Sequence, residues 1–268
     1  MDSDHIIAHP RRGLLHLAGR AWRALAARAG SPCPACGGAA RGGALCEPCA
    51  AEARAPMHQL PRCRRCALRL DVAHAWLAGR NLPGARPAEC VDCRLHPPAF
   101  AQAVAAFDYV EPYDALILRF KSQRRHVLAG TLAQLLHQAL RESAPLAGGP
   151  LHALVPIPAS RASLRRRGFN PAGELAAALA GRLQTRLLRT ALRRRREDGA
   201  RQAALGRRAR QAAAHELYRC VRPLAGLHVG LVDDVMTTGS TADAAARALL
   251  AAGAARVTVL VAARTPDD

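Results

Sequence analysis

Eight of the nine cysteines lie between residues 31 and 98 as four C-x-x-C pairs: Cys33/Cys36, Cys46/Cys49, Cys63/Cys66 and Cys90/Cys93. The same segment is rich in Gly and Pro and shows little periodic apolar pattern. It cannot bury an ordinary core and needs a staple. Two residues between thiolates let both sulfurs turn toward one ion, and two such knuckles complete a tetrahedral site. Four pairs therefore fit two four-cysteine zinc sites. Disulfides are the alternative, but no signal peptide is evident, and a reducing cytosol disfavours them. A redox C-x-x-C does not explain four copies. Consecutive pairing (33, 36, 46, 49 and 63, 66, 90, 93) is preferred because the short spacer closes easily as a ribbon. Interleaved pairing (33, 36, 63, 66 and 46, 49, 90, 93) stays open. Cys220 stands alone in a strand-like stretch and reads as a small buried hydrophobe.

Beyond Ala99 the pattern changes to alternating strands and helices. Strands are predicted at Val104–Tyr109, Leu151–Ile157, Thr185–Leu192, His215–Val221, Leu227–Val232 and Arg256–Ala262. Helices are predicted at Tyr113–Phe120, Val127–Arg141, Pro171–Leu183 (with Asn170 as N-cap) and Gly239–Ala252, the last ended by Gly253. Strands separated by helices argue a mostly parallel sheet covered on both faces, an α/β fold. The expected division is an N-terminal extension over 1–30, a double zinc ribbon over 31–98 and an α/β domain over 99–268. Leu14–Ala29 reads as a basic amphipathic helix that docks onto the protein or, less favourably, lies on an anionic membrane. Arg193–Arg210 is an Arg-rich excursion.

The segment Leu227–Val232 runs into Asp233 and Asp234, then Val235, Met236, Thr237, Thr238, Gly239, Ser240 and Thr241, then an Ala-rich helix. A turn at a helix N-terminus exposes consecutive backbone N–H groups, and its hydroxyls add donors, which suits a dianionic phosphate. Gly239 lets the backbone approach a ligand closely. Two carboxylates just upstream would repel that phosphate unless they serve another group. A sugar's vicinal hydroxyls, or a metal, would fit them.

The stretch LVDDVMTTGST resembles the binding motif of type I phosphoribosyltransferases, which hold 5-phosphoribosyl-1-pyrophosphate. The resemblance implies that Asp233 and Asp234 take the ribose hydroxyls and that Thr237–Thr241 take the 5′-phosphate. The order of further motifs is similar to the competence protein F (ComF, GntX-like) family: a multi-cysteine module, Arg119-Phe120-Lys121, Val155-Pro156-Ile157-Pro158, then Arg167-Gly168-Phe169-Asn170. It implies the type I phosphoribosyltransferase fold behind a double zinc ribbon. By the same resemblance Pro156, Ile157 and Pro158 lie where pyrophosphate binds, with Arg165, Arg166, Arg167 and Lys121 positioned to neutralise it and Mg²⁺ bridging pyrophosphate and sugar. Pro171 stands where the family often has Gln, and Ala213 where an Asn is common. The 193–213 stretch is thus either a lid or a charged surface excursion. Glu174 and His152 are conceivable bases for an acceptor, although a helix-surface Glu and a strand-edge His are the plainer readings.

Two function classes follow. One is a phosphoribosyl transferase of unassigned acceptor. The other is a non-catalytic competence or DNA-handling protein that contacts single-stranded DNA and other competence proteins, its sugar-phosphate site being regulatory or vestigial. The formal charge of +19 suits a polyanion or a phosphorylated substrate. Two zinc ions on eight thiolates leave roughly +15. Aromatic residues are only 3% of the chain, against extensive base stacking. No run of eighteen apolar residues predicts a membrane span, and a cytoplasmic protein is expected, with peripheral membrane contact through the basic N-terminal helix as an option.

Overall fold

The computed structural model describes residues 28–70, 88–122, 126–143, 146, 148–195 and 217–266. Most of the expected helix Leu14–Ala29 and most of the 193–213 excursion lie outside them; the last two residues of that helix, Arg28 and Ala29, are described and are not helical.

Five strands form one parallel sheet: β3 (Gln102–Asp108), β4 (Ala153–Pro156), β5 (Arg186–Leu187), β8 (His228–Met236) and β9 (Arg256–Arg264), in the order β3-β9-β8-β4-β5. Parallel strands covered on both faces read as near-continuous apolar runs, and β9 (RVTVLVAAR) is buried at every position after its first. Successive side chains alternate between faces. Val257, Val259 and Val261 join one core, with Leu249 and Ala245 of the helix Ser240–Ala251. Leu260 and Ala262 join the other, with Leu132 and Leu136 of His126–Glu142 and Leu175 and Leu179 of Pro171–Leu183. In chain order the helices are α1 (Glu47–Gln59), α2 (Val91–Leu95), α3 (Asp114–Ser122), α4 (His126–Glu142), α5 (Arg161–Arg167), α6 (Pro171–Leu183) and α7 (Ser240–Ala251).

The cysteine segment adds the short hairpin β1 (Gly30–Pro32) and β2 (Ala39–Arg41) and the helices α1 and α2. Its two halves repeat one design. Pro32 pairs with Ala39 around the first knuckle, and Arg62 bridges Arg69 around the third. Each half then returns through a helix whose N-cap is a cysteine, Cys46 for α1 and Cys90 for α2. The first half packs into the core of α3, α4 and α6, the second into the core under α7. The two halves therefore join opposite faces of the sheet, beside its edge strand β3. Arg62 anchors the second half there, with its guanidinium on both carboxylate oxygens of Asp108 at 2.6 and 2.8 Å, the carboxylate being almost wholly buried.

Several expectations shift. The predicted strand Thr185–Leu192 divides into β5 of the main sheet and β6 (Leu192–Arg194), which pairs antiparallel with β7 (Tyr218–Cys220). Arg189 and Thr190 form a turn between them. Cys220 is only half-buried, and its thiol donates to the Arg222 carbonyl at 3.2 Å. The basic run before Gly168, for which no element was expected, is the end of a short helix: Ser160 caps α5 by accepting from Ser163, and Gly168 ends it at φ +78°. Asn170 does occupy the N-cap position of α6, but its side chain does not cap. The amide donates instead to the Ile157 carbonyl at 3.0 Å.

Gly230 sits mid-way along β8, where an added Cβ would lie 2.5 Å from Leu154 Cδ2 and 3.0 Å from Leu260 Cδ1. Gly230→Val is expected to destabilise the protein by about 1–3 kcal/mol through overpacking. Thermal or urea unfolding measures it, and an unchanged midpoint would contradict this packing.

Candidate functional site

Between β4 and β8 the chain changes direction. The connection leaving β4 leads outward to the edge strand β5, and the one leaving β8 leads the other way to β9. Such a switch point opens a crevice at the carboxyl ends of the strands. Pro156, Ile157 and Pro158 end β4 there, with the Ile157 amide donating to the Val232 carbonyl at 2.9 Å. Beside them β8 delivers Asp233 and Asp234.

The acidic pair lies within the strand rather than beyond it, since β8 continues to Met236. Alternation breaks at the pair: Leu231 and Met236 face one core, Val232 and Val235 the other. Each carboxylate accepts the next backbone amide, Asp233 from Asp234 and Asp234 from Val235, both at 2.9 Å. Burial, with the neighbouring charge of Asp234, holds the Asp233 carboxyl well above the usual carboxylate range, and Lys121 offsets part of this. Lys121 reaches from α3 to put its ammonium 3.2 Å from Asp234. It was expected on a leaving group; in the structure it is partnered with the acidic pair.

Two more motifs meet here. Phe120, beside Lys121, packs edge-on against Phe169 at 5.9 Å between centroids. The Asn170 amide holds the Ile157 carbonyl, as above. Four separate sequence fragments thus converge on one crevice.

Past Met236 the chain turns through Thr237, Thr238 and Gly239 into α7. Gly239 is the N-cap at φ +83°, a conformation that favours glycine. A Cβ there would meet nothing nearer than 3.7 Å, so backbone conformation rather than crowding within the protein calls for glycine. Thr237, Thr238, Ser240 and Thr241 are exposed, and no side chain caps α7. The Thr238 and Ser240 hydroxyls lie 3.0 Å apart and bond to each other. The first-turn amides and the helix dipole face the crevice with capacity for an anion.

Arg165, Arg166 and Arg167 occupy the last turn of α5. Of these, Arg165 lines a cavity of about 610 Å³ with Arg161, Arg189, Arg193, Arg194 and Arg195, beside Pro158. Pro158 is shared between this cavity and the end of β4. Glu174 pairs with Arg189 at 2.9 Å on the outside of α6. His152 lies at the opposite end of β4, where its ring nitrogen accepts the His228 amide at 2.8 Å. Neither residue stands at the acidic pair.

The two cysteine groups are consecutive: Cys33, Cys36, Cys46 and Cys49, then Cys63, Cys66, Cys90 and Cys93, with the ligand atoms of each group within 4.8 Å of one another. Sulfurs 3.7 Å apart, as in Cys36–Cys46 and Cys66–Cys90, are far beyond a disulfide bond. They match the edge of about 3.8 Å expected for tetrahedral zinc with Zn–S near about 2.3 Å. Hydrogen bonds from Cys66 and Cys93 hold Cys63 far below the usual thiol range; the same contacts push Cys66 up to about 12 and Cys93 well above its usual value. In the first group burial raises Cys33, but the Cys36 and Cys46 amides outweigh it and bring it to about 6, while burial and neighbouring thiols push Cys49 up to about 12. Four thiols this close can share little negative charge on their own, and a dication removes that limit.

Sequence reasoning missed Arg264. It ends β9, is nearly buried, and donates through Nε to the Cys66 carbonyl at 3.1 Å and through a terminal nitrogen to the Met236 carbonyl at 3.3 Å. Nothing in the sequence distinguishes it from dozens of other arginines.

Residues 162–268 match the phosphoribosyl transferase domain family. The DNA utilization protein YhgH of Salmonella typhi is 34% identical over 205 residues, covering 76% of this chain and 90% of that protein. The protein of the same name from Escherichia coli (strain K12) is 34% identical over 66% of this chain and 78% of its own length. Competence protein F of Haemophilus influenzae is 31% identical over 63% of this chain and 76% of its own length. The chain belongs to the competence protein F family. For this family member, the phosphoribosyl transferase match contains the acidic pair, the turn after it and α7, whereas the cysteine groups precede that match. Among the described residues, no helix is long and apolar enough to cross a membrane.

Metal analysis is expected to return about two zinc ions per chain, and about one for Cys63→Ser. A folded, metal-free protein would contradict the reading of the cysteine groups.

Proposed function

We propose that this competence protein F family member binds 5-phosphoribosyl-1-pyrophosphate with Mg²⁺ at the end of β8. The observation that carries the reading is the juxtaposition of two kinds of group: consecutive carboxylates beside Lys121, and an uncapped helix N-terminus three residues past the strand. The carboxylates accept hydrogen bonds from the ribose 2′- and 3′-hydroxyls. The turn from Thr237 to Thr241 takes the 5′-phosphate through amides and hydroxyls. The dianion is then held at a helix N-terminus, and the carboxylates are spent on donors rather than facing the phosphate.

For transfer, an acceptor attacks C1 of the ribose, the C1–oxygen bond breaks, and pyrophosphate leaves. Bound Mg²⁺ would neutralise the pyrophosphate oxygens. The chain's own part is to hold the ribose by Asp233 and Asp234, to fix the phosphate end, and to bring guanidinium charge near Pro158. Charge stabilisation and positioning of this kind supply catalysis without a dedicated base. The acceptor is left unassigned, since neither Glu174 nor His152 stands at the pair.

A second reading is DNA handling in the cytoplasm, with the sugar-phosphate site serving as a regulator. The six arginines around the 610 Å³ cavity favour it: a phosphodiester chain releases counterions on such a surface. The names of the relatives, DNA utilization protein and competence protein F, point the same way.

Calorimetry is expected to give magnesium-dependent binding of phosphoribosyl pyrophosphate that Asp233→Asn with Asp234→Asn reduces by at least about a hundredfold, two charged hydrogen-bonding groups being lost. Equal affinity in the wild type and the double variant would defeat the site. Single-stranded DNA affinity that falls with salt and survives the double variant supports the second reading; no such affinity removes it.

A further inference from the structure

The loop between Met236 and α7 has little of its own to hold its shape. Its hydroxyls are exposed and bond chiefly to each other. The points that fix it lie at its two ends, and both are tied to the second cysteine group. At the near end, the Met236 carbonyl accepts from the Thr265 amide at 3.0 Å and from Arg264 at 3.3 Å, and the same guanidinium grips the Cys66 carbonyl at 3.1 Å and its neighbour's carbonyl at Thr265. At the far end, Asp243 in the first turn of α7 accepts the Ala99 amide at 2.6 Å. Ala99 lies on the strand of chain that leaves Cys93 and α2.

Between these ties lies a cleft of about 740 Å³. Cys66, Cys90 and Cys93 line one wall and Thr238, Gly239 and Ser240 the other, with Arg264 also in the lining. Arg264 is 4% exposed, so little water can replace a lost partner. A buried guanidinium needs its acceptors where they are. The Cys66 carbonyl belongs to a knuckle: Cys63 donates to the Leu68 carbonyl at 2.8 Å and Ala67 to the Cys63 carbonyl at 2.9 Å, with Ala67 at φ +58°. A non-glycine residue in that region is held by its surroundings. Metal coordination by Cys63 and Cys66 spans this knuckle and fixes where its carbonyls point.

We propose that metal held by Cys63, Cys66, Cys90 and Cys93 sets the geometry of the sugar-phosphate loop through Arg264, which is a positioning residue for the 5′-phosphate. The ligand part of this statement rests on the phosphoribosyl reading above; the mechanical coupling does not. Occupancy of the second cysteine group thereby controls affinity for sugar phosphates, and thiol oxidants or chelators that empty it weaken that affinity.

The test uses full-length, zinc-loaded protein and Arg264→Met, which keeps all eight cysteines and an unbranched apolar stem while removing the guanidinium. Arg54→Met serves as a charge control, since Arg54 pairs with Glu142 at 2.6 Å away from the loop. Three quantities are read: zinc content, amide hydrogen exchange over 237–241, and affinities for ribose 5-phosphate and for Mg–pyrophosphate. Arg264→Met is expected to keep its zinc, to speed exchange over 237–241, and to weaken ribose 5-phosphate about tenfold, an ordinary coupling size. Mg–pyrophosphate, which does not use that loop, changes less than about twofold, below the usual coupling range. General loosening of the fold would weaken both ligands alike, and that result overturns the proposal. So do unchanged exchange in Arg264→Met, or an equal loss in Arg54→Met. Faster exchange in a protein whose wild type binds no ribose 5-phosphate would uphold the coupling and defeat the phosphoribosyl reading.

Discussion

The register of β8 between β9 and β4 is the constraint on which the carboxyl edge of the sheet depends. Ladder pairing of Leu231 with Val155 and of Val232 with Pro156 brings the end of β4 level with the acidic pair. Pairing of Met236 with Arg264 brings the last residue of β9 level with the start of the loop. A slip of one residue would turn each apolar side chain to the other face. Two buried cores, one on each face, forbid that slip. The site is therefore a consequence of packing: the same Val, Leu and Ala contacts that stabilise the sheet fix where two carboxylates, a proline corner and an arginine stand.

Placing two adjacent carboxylates at a nearly buried strand end is electrostatically costly. The structure offsets the cost with backbone amides one residue ahead and with Lys121 from α3. Lys121 is the only lysine in the chain, and it is brought in by a helix anchored at Phe120, whose ring lies fully buried against Phe169. The three-residue run Arg119-Phe120-Lys121 thus has a division of labour. Phe120 docks the helix, Lys121 faces the acidic pair, and Arg119 donates to the Pro34 carbonyl beside the first cysteine knuckle at 2.7 Å.

Much of this was legible in the sequence because it is local. Strand, acidic pair, turn and helix are contiguous from Leu227 to Ala252, and their apolar periods report burial directly. The consecutive grouping of cysteines followed from the short spacer between Cys36 and Cys46. What the sequence hid is long-range or side-chain specific. Asn170 carries a helix-capping signal, yet its amide is taken by the Ile157 carbonyl at the end of β4. The basic run at 165–167 carries no apolar periodicity, and only Ser160 and Gly168, as a cap and a stop, make it the end of a short helix. Thr185–Leu192 had the composition of one strand, and the turn at Arg189–Thr190 split it between two sheets. Arg264 gave no signal at all, since its role rests on two carbonyls far away in sequence.

The end of β8 is proposed to hold a ribose 5-phosphate moiety. A crystal structure of the protein grown with phosphoribosyl pyrophosphate and Mg²⁺ tests it most directly. Ribose hydroxyls are expected within hydrogen-bond distance of Asp233 and Asp234, and the 5′-phosphate on the amides of Thr238 to Thr241. Ligand bound only among the arginines beside Pro158, with the acidic pair and the α7 N-terminus untouched, would contradict it.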